Sequence, residues 1–442
     1  MTVQIASLAV LLAMFLLASF VQVNLGILAL VAAFVVGVGF GGLDIDAMLA
    51  GFPADLLVLL VGVTYLFGIA QTNGTLERVV DLGVRLVRGR VALMPWLLFV
   101  LTAFVAAVGA LSAAAVAIVA PIAMRFAQQY RISPLLTGLM VVQGATAGSF
   151  SPLSPFGAIT GQLLTGAGLP DQQPWLFINS FVFNFVLGIV VFCVFGGVRL
   201  FREGRRDEPD AGPGPESSGG AVATATTATT TTTPAATATT ATTQRTRFTV
   251  HQALTLTGLA GLVVASTALS LDVGFTALTI GLVLTLLAPK DYAEAISRIP
   301  WSAVLLVCGV ITYVGVLDEL GTIDFLRELI TSGGSPLLTA LAAAYIGGVI
   351  SAFASTAGVL GASIPLTVPL LDDGTLPLLG TITAIGIASS VVDVSPLSTN
   401  GALLVANQQS MDSRVFFRRL IMWAVPVIAL APGLSWFVFV VL

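Results

Sequence analysis

Ser395-Pro396-Leu397-Ser398-Thr399-Asn400-Gly401 is a second copy of Ser151-Pro152-Leu153-Ser154-Pro155-Phe156-Gly157, displaced by 244 positions. The same displacement carries Pro121 onto Pro365, near the ends of two apolar segments that contain Gly109–Ser112 and Ser351–Thr356. Each heptapeptide interrupts a hydrophobic run with prolines, hydroxyls and glycine. Hydrocarbon does not tolerate such backbone on a lipid-facing surface, where freed N–H and C=O groups find no water. A pair of interrupted membrane segments, one per half, points to the substrate site of a secondary transporter.

Composition places the chain in a membrane. Apolar residues make up 57% and charged residues 9%, far from a soluble domain. Runs such as Leu8–Phe20, Leu28–Phe40 and Phe181–Phe195, with their neighbours, are long enough to cross a bilayer core at ~1.5 Å per residue. The N-terminus lacks a basic start and a small-residue cleavage site, so no cleavable signal is expected. Cys193 and Cys308 both lie in apolar spans and make no disulfide framework. The single histidine, His251, sits beside a polar tract, which argues against a His-based metal or proton-relay centre.

Charge placement gives the topology. Of the 18 basic residues, all but Arg327 fall in segments assignable to one side, from Arg78, Arg85, Arg88 and Arg90 to Arg414, Arg418 and Arg419. That side is cytoplasmic by the positive-inside rule. Spans are then expected near 2–20, 25–41, 54–72, 133–166 and 174–199, and near 250–268, 273–288, 300–317, 376–408 and 418–442. Five spans per half is an odd number, so the halves are inverted and both termini are expected outside, in the plasma membrane.

Two apolar stretches, 93–128 and 336–370, leave and return on the same side. Small and hydroxylated residues at their middles favour re-entrant hairpins with tips near Ser112 and Ser355, two tight full spans being the alternative. Amphipathic segments at Thr75–Arg90 and Thr322–Ile330 precede them and read as surface helices. The expected fold is thus an all-α polytopic membrane protein of two inverted five-span repeats, each with a re-entrant hairpin and a broken helix. The first repeat covers 1–206 and the second 248–442. Between them, 207–247 is rich in Ala and Thr and has no apolar face to bury, which reads as a disordered cytoplasmic linker.

A carrier for a polar anion needs ligands at mid-membrane without a standing charge that traps it. A broken helix supplies them, as free N–H groups attract anions and free C=O groups attract cations. Pro152, Pro155 and Pro396 enforce the breaks, and Gly157 and Gly401 allow a turn or close approach to a ligand. The candidate coordinating patches are Ser112; Ser149, Ser151 and Ser154; Ser355 and Thr356; and Ser395, Ser398, Thr399 and Asn400. For a single patch, serines bonding back to a kinked helix is the simpler reading; two copies in register favour a site. Asp393 is the one acidic residue expected inside the membrane, and such residues are costly and usually functional. It reads as a cation ligand or protonatable coupling group, or else as a carboxylate capping the helix that follows. Carrying a dianion into a negative-inside cell costs ~2.3 kcal/mol per charge per 100 mV, which favours cation symport.

The residues Gly51-Phe52-Pro53-Ala54-Asp55, Val63–Phe67, Val84–Arg90, Ala114–Ile118 and Gln129–Ile132 look familiar, as do Ile311–Val316, Val349–Ser355 and Ser398–Leu403. The chain resembles the malonate/dicarboxylate carriers of the MatC type, in the ion-transporter superfamily that includes the divalent anion/sodium symporters. That resemblance implies a homodimer held by a scaffold domain, elevator-like movement of a transport domain, and a small dicarboxylate as substrate. In the symporter relatives each hairpin tip carries Ser-Asn-Thr, binding sodium and substrate carboxylate. Here the tips read Ser112-Ala113-Ala114 and Ser355-Thr356-Ala357, without the asparagine. The coupling ion is then a proton, or a sodium drawing on Ser112, Ser154, Ser355, Asp393 and Ser398. The relatives' helix breaks correspond to Ser154–Gly157 and Ser398–Gly401.

The rival readings are an inorganic oxyanion carrier or a Na⁺/H⁺ exchanger of the same superfamily, the latter expected to embed more than one carboxylate. An intramembrane enzyme would need an embedded Ser with His or Lys, or an aspartate pair. The sequence offers neither, nor an ATP-binding loop. No cofactor beyond the coupling ion and no nucleic-acid partner is expected.

Overall fold

Apolar residues with no water to bond close their backbone groups along a helix, and the described residues contain helices without a strand. The computed structural model describes residues 2–202 and 249–442, apart from 22, 87–90, 167–168, 171, 270, 326–334, 353–355, 373–375 and 409–410. The 207–247 segment, Ser355 and most of 322–330 therefore lie outside the described residues.

The first half runs α1 (Thr2–Phe20), α2 (Leu25–Ala33, continued by a π-turn to Phe40), α3 (Ile45–Ala50), α4 (Ala54–Thr72) and α5 (Thr75–Leu86). Next come α6 (Met94–Ala107), α7 (Ser112–Gln129), α8 (Pro134–Gly148), α9 (Pro155–Gly166), α10 (Gln173–Val194) and α11 (Gly197–Arg202). The second half runs α12 (Val250–Ala268), α13 (Val273–Leu287), α14 (Pro289–Tyr292) and α15 (Trp301–Glu319). It ends with α16 (Pro336–Ser351), α17 (Thr356–Asp372), α18 (Leu378–Val391), α19 (Thr399–Asn407) and α20 (Ser413–Trp436).

Among the described residues, five segments are long and apolar enough to cross a membrane: α4, α10, α15, the interrupted run Leu378–Asn407, and Ser413–Val441. The protein is an all-α membrane protein. Helix starts follow local chemistry. Asn24 accepts from Gly26 N at 2.9 Å to open α2, and Asp272 accepts from Phe275 N at 2.8 Å to open α13.

Packing partners recur between the halves. α6 packs on α8 as α16 does on α18, α8 on α10 as α18 on α20, and α7 on α19 as α17 on α9. The helices α2 and α4 make their main contacts across the halves: α2 packs on α15 and α4 on α13. Glycines set both crossings. A Cβ at Gly309 would collide with the Gly26 carbonyl, and one at Gly62 with the Gly274 carbonyl, so backbones meet directly, as small residues permit in membranes. The Tyr65 hydroxyl lies 2.6 Å from Thr285 Oγ1 across the second crossing. In the other half, the Tyr313 hydroxyl donates to Ser7 O at 2.8 Å.

The hairpins and broken helices form a second group with α10 and α20. Here the halves differ in one respect. α15 packs directly on α17, whereas a cavity of about 860 Å³, lined by Thr64, Phe67 and Gln71 of α4 and by Ala114, Pro121 and Arg125 of α7, lies between α4 and α7.

Candidate functional site

Both heptapeptides fold alike. After α8 the chain leaves the helix at Ser149 and re-enters it at Pro155; after α18 a short 3₁₀ turn, Val392–Val394, leads to re-entry at Thr399. In each, the first serine hydroxyl accepts from the leucine N–H two residues on, at 3.3 Å for Ser151–Leu153 and 3.3 Å for Ser395–Leu397. The second serine turns onto the backbone: Ser398 Oγ donates to Asp393 O and Ser395 O, each at 2.7 Å. Ser154 Oγ donates to Ser149 O and to Ser151 O. Ser151, Ser154, Ser395 and Ser398 are buried and hold the interruptions in shape.

Gly157 and Gly401 serve the same end. A Cβ at either would collide with the Ser151 or Ser395 carbonyl. The restarted helix therefore sits against its own interruption, and neither glycine has a positive φ. The close approach shown here is to the chain itself.

The hairpin tips bring the halves together. Gly109, at φ 131°, turns the chain between α6 and α7, and an added Cβ there would collide with the Val63 side chain. The helix after the first tip begins at Ser112 and that after the second at Thr356. The register thus equates Ser112 with Thr356, the 244-residue displacement of the heptapeptides.

Asn400 links these parts. Its Nδ2 donates to Ser112 Oγ at 2.7 Å and to Asp393 Oδ2 at 2.8 Å. Its backbone N–H reaches Asp393 Oδ1 at 3.4 Å, so the carboxylate also caps α19. The Thr356 hydroxyl stands near the Asp393 side chain and lies 3.0 Å from Ser351 Oγ. Asp393 is 6% exposed and Asn400 fully buried.

A cavity of about 390 Å³ opens beside this cluster, a volume suited to a small organic ligand. Ser112, Thr356, Asp393 and Thr399, with Asn24 and Ser302, supply its polar wall, and Phe156 and Leu306 part of its apolar wall. Leu111, Ala113 and Pro300 line both this cavity and the larger one between α4 and α7. Of the expected site residues, Ser112, Thr356, Asp393 and Thr399 border the cavity and Asn400 bonds two of them. Ser151, Ser154, Gly157, Ser395, Ser398 and Gly401 stand behind it in the interruptions, and Ser355 lies outside the described residues. Phe156 and Pro300 are lining residues that the polar patches do not reveal. The heptapeptide register does carry a signal for the first, since it sets Phe156 opposite Asn400. Among the described residues no group of three His, Cys, Asp or Glu could hold a multivalent metal.

No curated protein matches the chain. Residues 1–149 match the family model described as the dicarboxylate carrier protein MatC N-terminus. That segment contains α1 to α8, and with them the first hairpin and Ser112. Over that segment the chain is similar to the MatC-type dicarboxylate carriers.

Proposed function

We propose that the protein is a secondary active carrier that imports a small dicarboxylate, malonate first and C4 acids second, by cation symport across the plasma membrane. The observation that carries the reading is the cluster Ser112–Asn400–Asp393, drawn from both halves and facing a 390 Å³ cavity. Hydroxyls and the N-terminus of α19 can receive a carboxylate, while a cation beside Asp393 offsets its charge.

The recurrent packing partners support two inverted repeats. Hairpin arms support re-entrance. At ~1.5 Å per residue, the 14 residues of α6 and 16 of α16 span roughly 21 and 24 Å, short of a ~30 Å hydrocarbon core. The main packing of α2 on α15 and of α4 on α13 supports an elevator, with these crossed helices as scaffold and the α15–α17 and α4–α9 contacts as the surfaces across which the hairpin group would move. In that scheme the gap between α4 and α7, which contains Arg125 and Arg298, faces the cytoplasm, and the α15–α17 contact closes the opposite side. Exchanging the two arrangements gives the outward-open state. The scaffold would also hold a homodimer.

Uptake of labelled malonate into proteoliposomes, under an inward sodium or an inward proton gradient, tests the reading. Uptake driven by either establishes the carrier; no uptake under both rejects malonate and turns the search to succinate and inorganic oxyanions.

A further inference from the structure

The duplication places opposite charge at equivalent positions on the two sides of the membrane. Pro53, Gly62, Gly68 and Gly74 reappear in the second half as Pro300, Gly309, Gly315 and Gly321, displaced by 247 positions. Packing keeps this register. A Cβ at Gly68 would stand 3.1 Å from Arg298 Cβ, and one at Gly315 would stand 2.9 Å from Gly51 Cα. Arg298 and Gly51 are therefore counterparts. At the same displacement Gln71 corresponds to Asp318 and Glu77 to Asp324. On the hairpin arms, where the displacement is 244, Arg125 corresponds to Pro369.

Gln71, Glu77, Arg125 and Arg298 all line the cavity of about 860 Å³ between α4 and α7. That cavity thus has two cations and one carboxylate, while the counterpart positions have two carboxylates and no cation. Among the described residues Gln71, Arg125 and Arg298 have no side-chain partner, whereas Glu77 has one. The two arginines are exposed and stand on different bodies. Arg125 belongs to α7 of the hairpin, and Arg298 to the turn Ala295–Arg298, which packs on α4. Apolar walls such as Phe67 and Ile122 concentrate their field in the opening. A guanidinium receives a carboxylate through two parallel hydrogen bonds, and a dicarboxylate has one end for each arginine.

We propose that this cavity binds a second dicarboxylate, between Arg125 and Arg298, apart from the cluster at Asp393 and Asn400. The site itself follows from the cavity and its charges; it rests on the carrier reading only for its consequence in transport. In the elevator scheme α7 moves against the turn that holds Arg298, so an anion joining the two arginines keeps the cavity open. Dicarboxylate that has accumulated in the cytoplasm then slows further import. The external side, with Gly51 and Pro369 at the matching positions, has no equivalent site.

Equilibrium binding of labelled malonate to the purified full-length protein in nanodiscs tests it. The wild type should bind one malonate per chain more than the double variant Arg125→Gln, Arg298→Gln. Either substitution alone should weaken that malonate at least about tenfold, in line with losing a charge-assisted hydrogen bond, and Arg298→Lys should weaken it less. Added salt should weaken it too, because its ligands are exposed, and acetate should displace it poorly. Both arginines lie on the surface, so the variants should melt like wild type. Equal malonate counts in wild type and double variant overturn the proposal and leave the arginines as topology signals. Import into oriented proteoliposomes is measured separately, with malonate or acetate inside. Luminal malonate should slow import in the wild type and not in the double variant; equal slowing in both overturns the bridging role. Arginine-dependent binding without any import leaves this site standing and removes the substrate assignment.

Discussion

Asn400 hydrogen-bonds Ser112 at 2.7 Å across 288 residues of sequence, so one amide ties the second half's helix interruption to the first half's hairpin tip. Removing it strips a donor from a buried carboxylate and from a buried hydroxyl. Asn400→Ala should abolish uptake, at least about tenfold below wild type, while hydrogen bonds of this kind cost about 1.5–3 kcal/mol in stability. Uptake and a thermal melt on the same preparation check both, and normal uptake removes this loop from the site.

Asp393→Asn keeps the shape of the side chain and removes its charge. The cation dependence of uptake should flatten, while the half-saturating malonate concentration in exchange assays stays within about threefold of wild type, an energy change under ~1 kcal/mol. Unchanged cation dependence would leave Asp393 as the cap of α19 and nothing more.

Gly157→Ala and Gly401→Ala put a methyl group into the Ser151 and Ser395 carbonyls. Overpacking of this kind costs about 1–3 kcal/mol or more. Both variants should melt well below wild type, and by similar amounts, because the two interruptions have the same fold. A drop confined to Gly401→Ala, with uptake lost and stability kept, would instead mark a ligand contact there.

Ala117 is exposed on α7 and lines the large cavity between α4 and α7. Ala117→Cys, in a background without Cys193 and Cys308, should react with a membrane-impermeant thiol reagent from the cytoplasmic side of oriented vesicles. Excess dicarboxylate should slow labelling. Labelling from the outside alone would reverse the topology drawn from the arginines.

Much of the fold is legible because its causes are local. Prolines 152 and 396 stand with hydroxyls and a glycine in matching heptapeptides, and the pair marks α8–α9 and α18–α19 before any contact is known. The expected spans and the helix–turn–helix segments fall within a few residues of the helices found. The candidate site is legible as a set of residue types, and Asp393, Asn400, Ser112 and Thr356 do converge. What sequence does not disclose is direction. Ser154 and Ser398 look the same as free ligands, yet their hydroxyls turn onto neighbouring carbonyls, a choice made by backbone geometry that appears only once the interruption has formed. The helix crossings are also hidden, because Gly26 meets Gly309 and Gly62 meets Gly274 through tertiary packing that no spacing along the chain encodes.

Those crossings bind the two halves as interlocking fingers. α2 finds its partner in α15 and α4 in α13, so neither half can bury its glycine faces alone. The covalent connection through 207–247 is then dispensable once both halves are present. Two fragments, ending and beginning anywhere between 215 and 243, should each be degraded when expressed singly. Made together in one cell, they should assemble, copurify and transport, like a garment fastened by its teeth after the stitching has been cut.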